Sequence, residues 1–174
     1  MKTKLFLIFA TSLRFAVSAQ AQKIQSVYTT LDDRKCKTLE FTENEGGSYL
    51  GECPGTGGYK LRVAEGDLRQ TVSIVAPNKK IYPLDFGTFF SGFSAVQQNA
   101  EWRVKGKAPI AVIVRFNVSE NVEDSSKTTS YLIVSKITRN EICIVETLKP
   151  SKSQNVLARQ AADSAASKPC KKSE

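Results

Sequence analysis

The sequence has no histidine among its 174 residues, one methionine, one tryptophan and four cysteines. Without imidazole there can be no Ser-His-Asp or Cys-His catalytic set, no histidine metal ligand and no imidazole pH switch. The cysteine spacings of 17, 90 and 27 lack the short knuckles of zinc sites. No apolar run approaches the roughly 18–20 residues that span a bilayer. No Ser-x-x-Lys sequence is present to suggest a serine–lysine nucleophile. Basic residues outnumber acidic ones 25 to 17, but beyond the first 21 residues they are scattered, with Arg34-Lys35, Lys79-Lys80 and Lys171-Lys172 as the basic doublets. The concentrated basic stripe of a nucleic-acid binder is missing. The expectation is therefore a chain with no metal, no cofactor and no nucleic-acid partner.

Residues 1–21 read as a secretory leader. Lys2 and Lys4 form a basic start, Leu5 to Val17 is apolar apart from Thr11, Ser12 and Arg14, and Ala19-Gln20-Ala21 supplies the small residues of a cleavage site. Cleavage is expected after Ala21, with Ala19 as the second choice, and the product would be periplasmic or secreted. The leader holds three basic residues and no acid, so residues 22–174 carry 22 basic and 17 acidic groups, a formal +5. These 153 residues suffice for one domain with its own core.

In an exported chain an even cysteine count reads as disulfides, and four cysteines allow three pairings. Cys36 and Cys53 lie symmetrically about the turn Glu43-Asn44-Glu45-Gly46. Folded as a hairpin in that register, Leu39 faces Leu50, Phe41 faces Ser48, and Cys36 faces Cys53 at a spacing near that of a disulfide. Cys143 and Cys170 remain as the second pair.

The body of the chain reads as strands. Tyr59 to Val63 alternates apolar and basic residues. A hairpin centred on Gly66-Asp67, with glycine first as a type II′ turn prefers, would pair Leu61 with Val72 and Tyr59 with Ile74. Ile81 to Leu84 contains Pro83 and suits a short or edge strand. Trp102 and Val104 alternate with Arg103 and Lys105. Ile110 to Val118 and Tyr131 to Ile137 are nearly continuous apolar runs, and Ile142 to Val145 follows. Ser119 to Lys127 is a polar loop. Ser151 to Ser167 has Leu157, Ala161 and Ala165 at four-residue spacing and predicts a short amphipathic helix that Pro169 stops. The expected fold is mainly β: a single antiparallel β-barrel or β-sandwich with one short C-terminal helix and two disulfides.

Four stretches carry a resemblance. They are SVYTTLDDRKCKTLE (Ser26 to Glu40), GGSYLGECPGTGGYKL (Gly46 to Leu61), EGDLRQTVSIVAP (Glu65 to Pro77) and ARQAADSAASKPC (Ala158 to Cys170). Together they resemble a family of small exported bacterial proteins of uncharacterised function. The resemblance implies an exported single domain and supplies no activity.

Three groups of residues are candidate sites. The glycine-rich stretch Cys53 to Gly58 resembles a phosphate cradle in composition, but such cradles feed a helix N-terminus and this one feeds a strand. Phe86, Phe89, Phe90 and Phe93 place four of the nine phenylalanines within eight residues. They either plug one end of a β core or form an apolar binding patch. Glu40, Glu43, Glu45, Glu52, Glu65, Asp67 and Asp85 could hold a glycosidase pair, which needs two convergent carboxyls about 5–10 Å apart. Asn117-Val118-Ser119 fits a glycosylation acceptor in a eukaryotic host. The leading expectation is a non-catalytic exported domain that binds an envelope protein or glycan. A carboxylate-only hydrolase is the second reading. An inhibitor of a lytic enzyme such as lysozyme is the third, weakened because lysozyme is itself basic and a +5 partner repels it.

Overall fold

The computed structural model describes residues 22–43, 47–121, 124 and 126–172. The leader at 1–21 lies outside the described residues, as do Asn44, Glu45 and Gly46 of the expected first turn. The described strands are β1 (Ile24–Thr30), β2 (Lys37–Thr42), β3 (Ser48–Cys53), β4 (Lys60–Gly66), β5 (Arg69–Val75), β6 (Ile81–Pro83), β7 (Ser94–Lys105), β8 (Ala108–Val118), β9 (Thr129–Ile137) and β10 (Ile142–Leu148); one helix, α1 (Gln154–Asp163), follows.

The strands form one mixed sheet in the order β10-β9-β8-β7-β5-β4-β3-β2, with β1 added on β7 and β6 on β5. It does not close on itself, and it is not wholly antiparallel as expected. The exception is the β5–β7 junction, a parallel pairing of Arg69 with Ser94. After β6 the chain passes through a 3₁₀ turn at Phe86–Thr88 and re-enters beside the start of β5, so β7 must run in the direction of β5.

Two hairpin registers differ from expectation. β4 and β5 pair Leu61 with Ile74 and Gly66 with Arg69. The turn is therefore centred on Asp67-Leu68, whose φ angles of 50° and 56° are those of a type I′ turn. The slip is two residues, so every side chain keeps its face, and Leu61, Val63, Val72 and Ile74 all enter the core. In β2–β3, Lys37 faces Glu52 as the cysteine symmetry requires, but the register shifts between Thr38 and Glu40. Glu40, not Leu39, then faces Leu50, and Tyr49 rather than Ser48 faces Phe41. An inserted bulge residue is a common way to blunt a sheet edge, and β2 is such an edge. Disulfides join Cys36 to Cys53 and Cys143 to Cys170.

The long apolar runs are explained by burial on both faces. Val112, Val114, Phe116, Val118, Tyr131 and Ile133 face the β4–β5 ribbon in the main core, with Trp102 among them. Trp102 is fully buried and its Nε1 donates to Thr29 Oγ1 at 2.8 Å. The other face of β8 and β9 presents Ala111, Ile113, Leu132 and Val134 to the helix. The helix answers with Ala158, Ala161, Ala162 and Ala165. Leu157, expected on that stripe, is 42% exposed. Alanines let the helix lie close on the sheet, where the longer leucine has no room, and this rotates the buried stripe by one residue.

Ion pairs fix the helix in place. On the buried Arg103 of β7, Nε and Nη2 donate to the two carboxylate oxygens of Asp163 at 2.6 and 2.9 Å. Arg159 Nε donates to Glu101 Oε1 at 2.7 Å, and Ser26 Oγ donates to the same oxygen at 2.5 Å. Burial alone would raise the Glu101 carboxyl, but these hydrogen bonds outweigh it and hold the group below the usual carboxylate range. A depressed carboxyl contributes stability above its unfolded value, near 4.5, and loses it as pH falls through its folded value. Thermal melts should therefore show wild type most clearly above Glu101→Gln at pH values over about 4.5, with the gap shrinking in more acidic buffer. A gap that is constant with pH would remove Glu101 from the acid response.

Candidate functional site

The phenylalanine segment is assembled by its own backbone. Asp85, at a left-handed φ of 43°, turns the chain after β6. Phe86 N donates to Thr71 Oγ1 at 3.1 Å, and the amides of Phe89 and Phe90 both donate to Phe86 O at 3.0 Å. This curl divides the four rings. Phe86 is 0% exposed and meets Phe116 edge to face at 4.7 Å. Phe90 is half-buried and packs against Phe116 at 5.4 Å and Tyr131 at 4.6 Å. Phe89 is half-buried against the same core. Phe93 is 43% exposed, with the Arg69 guanidinium 5.2 Å from its ring centroid. One segment thus supplies both a core plug and an exposed aromatic surface.

Between this segment and the end of β8 lies a cleft of about 520 Å³, lined among others by Arg69, Phe89, Phe90, Phe93, Val118 and Glu120. Its volume falls in the ~300–1,000 Å³ range of small-ligand sites. Gly92 lets the two walls meet. A Cβ there would lie 1.9 Å from the carbonyl oxygen of Ser119, so only glycine fits. Next to it Ser119 N donates to Phe93 O at 2.8 Å.

Two charges of opposite sign stand at the rim. Arg69 Nε donates to Ser91 O at 3.2 Å, and its Nη1 donates to the Asp67 carboxylate. Glu120 accepts from Thr129 Oγ1 at 2.6 Å and from Tyr131 Oη at 2.5 Å. Those two hydrogen bonds, in that order of strength, hold its carboxyl below the usual range. Burial, reinforced by Glu120, pushes Tyr131 up to about 12. At neutral pH Glu120 is an anion, the Arg69 cation is paired with the Asp67 carboxylate, and Tyr131 remains a donor.

Among the described residues, the acids considered from sequence are exposed or have separate partners. Glu40 and Glu43 are exposed on the first hairpin. Glu52 pairs with Lys60 at 2.5 Å and Arg62 at 3.1 Å. Glu65 accepts from Gln70, Asp67 from Arg69, and Asp85 forms the turn before Phe86. Glu45 lies outside the described residues. Where a carboxyl is displaced at all among the described residues, at Asp32, Glu52, Glu101, Glu120 and Asp124, it moves down. The glycine-rich stretch serves packing. A Cβ on Gly55 would lie 2.2 Å from Tyr59 O, and Gly57, at φ 60°, lies against Pro109. Glu141, Cys143 and Cys170 bring three ligand-type atoms together, but both sulfurs are spent in the disulfide.

No protein-family model, curated protein or solved structure matches the chain. The cleft must therefore be read from its own chemistry. Arg69, Val118 and Glu120 carried no signal in the sequence. Arg69 opens a polar strand, Val118 ends an apolar one, and Glu120 falls in a polar loop. Only the β5–β7–β8 pairing at Arg69, Ser94 and Val118 brings them to one place.

Proposed function

We propose that this is a non-catalytic exported domain that binds a glycan of the cell envelope in the Phe89–Phe93 cleft. The observation that carries the reading is a cleft with side chains to offer and no sheet edge. Phe93 O, Ser94 N and Ser119 N are already bonded within the protein, and β7 is flanked there by β5 and β8. A peptide that binds by adding a strand needs a free edge. A sugar needs aromatic faces for its C–H surfaces and both donors and acceptors for its hydroxyls; Phe89, Phe93, Arg69 and Glu120 supply that set. Among the described residues every displaced carboxyl moves down, whereas the acid of a carboxylate-only hydrolase needs a raised one, which favours the binding reading. Two disulfides favour an oxidising compartment. Among the described residues no helix is long and apolar enough to cross a membrane. Within the same reading, the mixed sheet acts as a two-layered, sandwich-like scaffold, its β4–β5 and β7–β10 parts enclosing one core.

Co-sedimentation with purified peptidoglycan sacculi tests the proposal. Wild type should pellet with the sacculi. Phe93→Ala should stay in the supernatant while its stability remains within about 1 kcal/mol of wild type, because the ring is largely outside the core. A Phe93→Ala protein that pellets like wild type would overturn the assignment of the cleft.

A further inference from the structure

A hollow of about 240 Å³ lies between the helix and the sheet, walled by Asn99 and Glu101 of β7, Arg115 of β8, and Asn155 and Arg159 of α1. Arginines tie this seam together. Arg103 gives Nε and Nη2 to the Asp163 carboxylate, and Arg159 gives the same two nitrogens to Glu101. Arg115 has no such partner. Its Nη1 donates to Ser130 Oγ at 3.1 Å and to Gln154 Oε1 at 3.0 Å, and its Nη2 donates to Asn155 Oδ1 at 2.9 Å. Each of these acceptors is neutral. They hold the guanidinium in place and leave its charge unmatched. Among the described residues its Nε–H and the second Nη2 hydrogen meet no acceptor, and no carboxylate pairs with it.

The acid in the same wall does not fill that role. Glu101 is already gripped at both oxygens by Arg159, with Arg103 Nη1 at 3.8 Å besides. The hollow therefore keeps the positive charge of Arg115. Asn99 stands next to it. β7 and β8 pair Ala100 with Val114, which brings Asn99 alongside Arg115 where the ladder becomes irregular. Asn99 is exposed, and its side-chain amide makes no hydrogen bond among the described residues.

We infer that this hollow is a second binding site, for a small monocarboxylate held by Arg115 and Asn99. It is independent of the glycan reading of the aromatic cleft. A guanidinium takes a planar carboxylate through parallel hydrogen bonds, as Arg103 and Arg159 do beside it. The single unmatched charge selects a monoanion. A phosphate group, at about −1.5 to −2 near neutral pH, would bring its excess charge against Glu101. The hollow is smaller than the ~300–1,000 Å³ of ordinary ligand pockets, so the carboxylate carries a short substituent.

Titration of isotope-labelled protein with sodium propionate, followed by NMR against sodium chloride at equal ionic strength, tests the inference. The Arg115 Nε–H and Asn99 side-chain amide signals should shift saturably with propionate and not with chloride. Arg115→Gln should abolish the response at Asn99. Because Arg115 also ties the helix to the sheet, Asn99→Asp is the cleaner variant. It breaks no side-chain hydrogen bond and sets a negative charge beside the guanidinium, so propionate should bind roughly tenfold or more weakly, read at Arg115 Nε–H. A response to propionate no larger than that to chloride, or an Asn99→Asp protein that binds it like wild type, would overturn the site. Tighter binding of inorganic phosphate than of propionate would overturn the monocarboxylate assignment.

Discussion

Phe86→Ala is expected to lower the unfolding free energy by about 3–5 kcal/mol, the usual cost of truncating a fully buried phenylalanine. Phe86 has no exposed surface, packs edge to face on Phe116, and belongs to the core shared by β4, β5 and β8. The turn that holds it cannot follow the missing ring inward, because the amides of Phe89 and Phe90 are bonded to its carbonyl and its own amide to Thr71. The cavity will therefore stay largely open. Domains of this kind have about 5–15 kcal/mol in hand, so a large part would be lost. Urea denaturation measures it, and a shift under about 1 kcal/mol would mean that the segment closes nothing. The contrast with Phe93→Ala is the informative one, since the two rings lie seven positions apart in one turn and are expected to fail in different assays.

Replacing Cys143 and Cys170 together by serine is expected to cost about 3.5 kcal/mol from loop entropy alone. The bond spans 27 residues and encloses α1, so its loss frees the segment that covers the outer face of β8 and β9. Two contacts resist that release: Lys171 N donates to Ile144 O at 2.7 Å, and Lys136 Nζ to Lys168 O at 2.9 Å. Hydrogen exchange should show α1 amides losing protection before those of β8. If α1 and β8 open together at unchanged denaturant midpoint, the disulfide contributes nothing to holding the helix.

The parts of the fold legible in the sequence were those set by local pattern. Alternation at Leu61, Val63, Val72 and Ile74 gave the correct faces, because a side-chain period of two survives a two-residue slip. The turn itself is not legible locally, because glycine at 66 is the usual turn residue and Asp67 and Leu68 at positive φ are the less usual choice. Periodicity places Leu157 on the buried stripe because it reports spacing, whereas packing distance selects side-chain size. β1 and the first half of β7 carried too little apolar character to be read as strands, and their partners are remote. The candidate site was half legible. Four clustered rings marked the place, but the division into buried Phe86 and exposed Phe93 depends on the curl after Asp85. Arg69 and Glu120 reach the cleft through pairings between distant strands that no local pattern encodes.

The position of β1 constrains how the chain can be completed. Its ladder partner is β7, so Ser26 waits for Glu101, 75 residues later. The hairpins from β2 to β5 can form as they are made, because each closes over a short loop. β1 cannot. Until Lys105 has been synthesised, Ile24 and Val27 have no strand to join, and once β7 has paired with β8 its far edge from Asn99 to Lys105 stays open until β1 returns. An open edge beside an unpaired strand is where one chain can capture the same strand from another. The first strand of the fold is therefore secured only after β7 is made, and crowding during synthesis threatens this protein at its N-terminal seam.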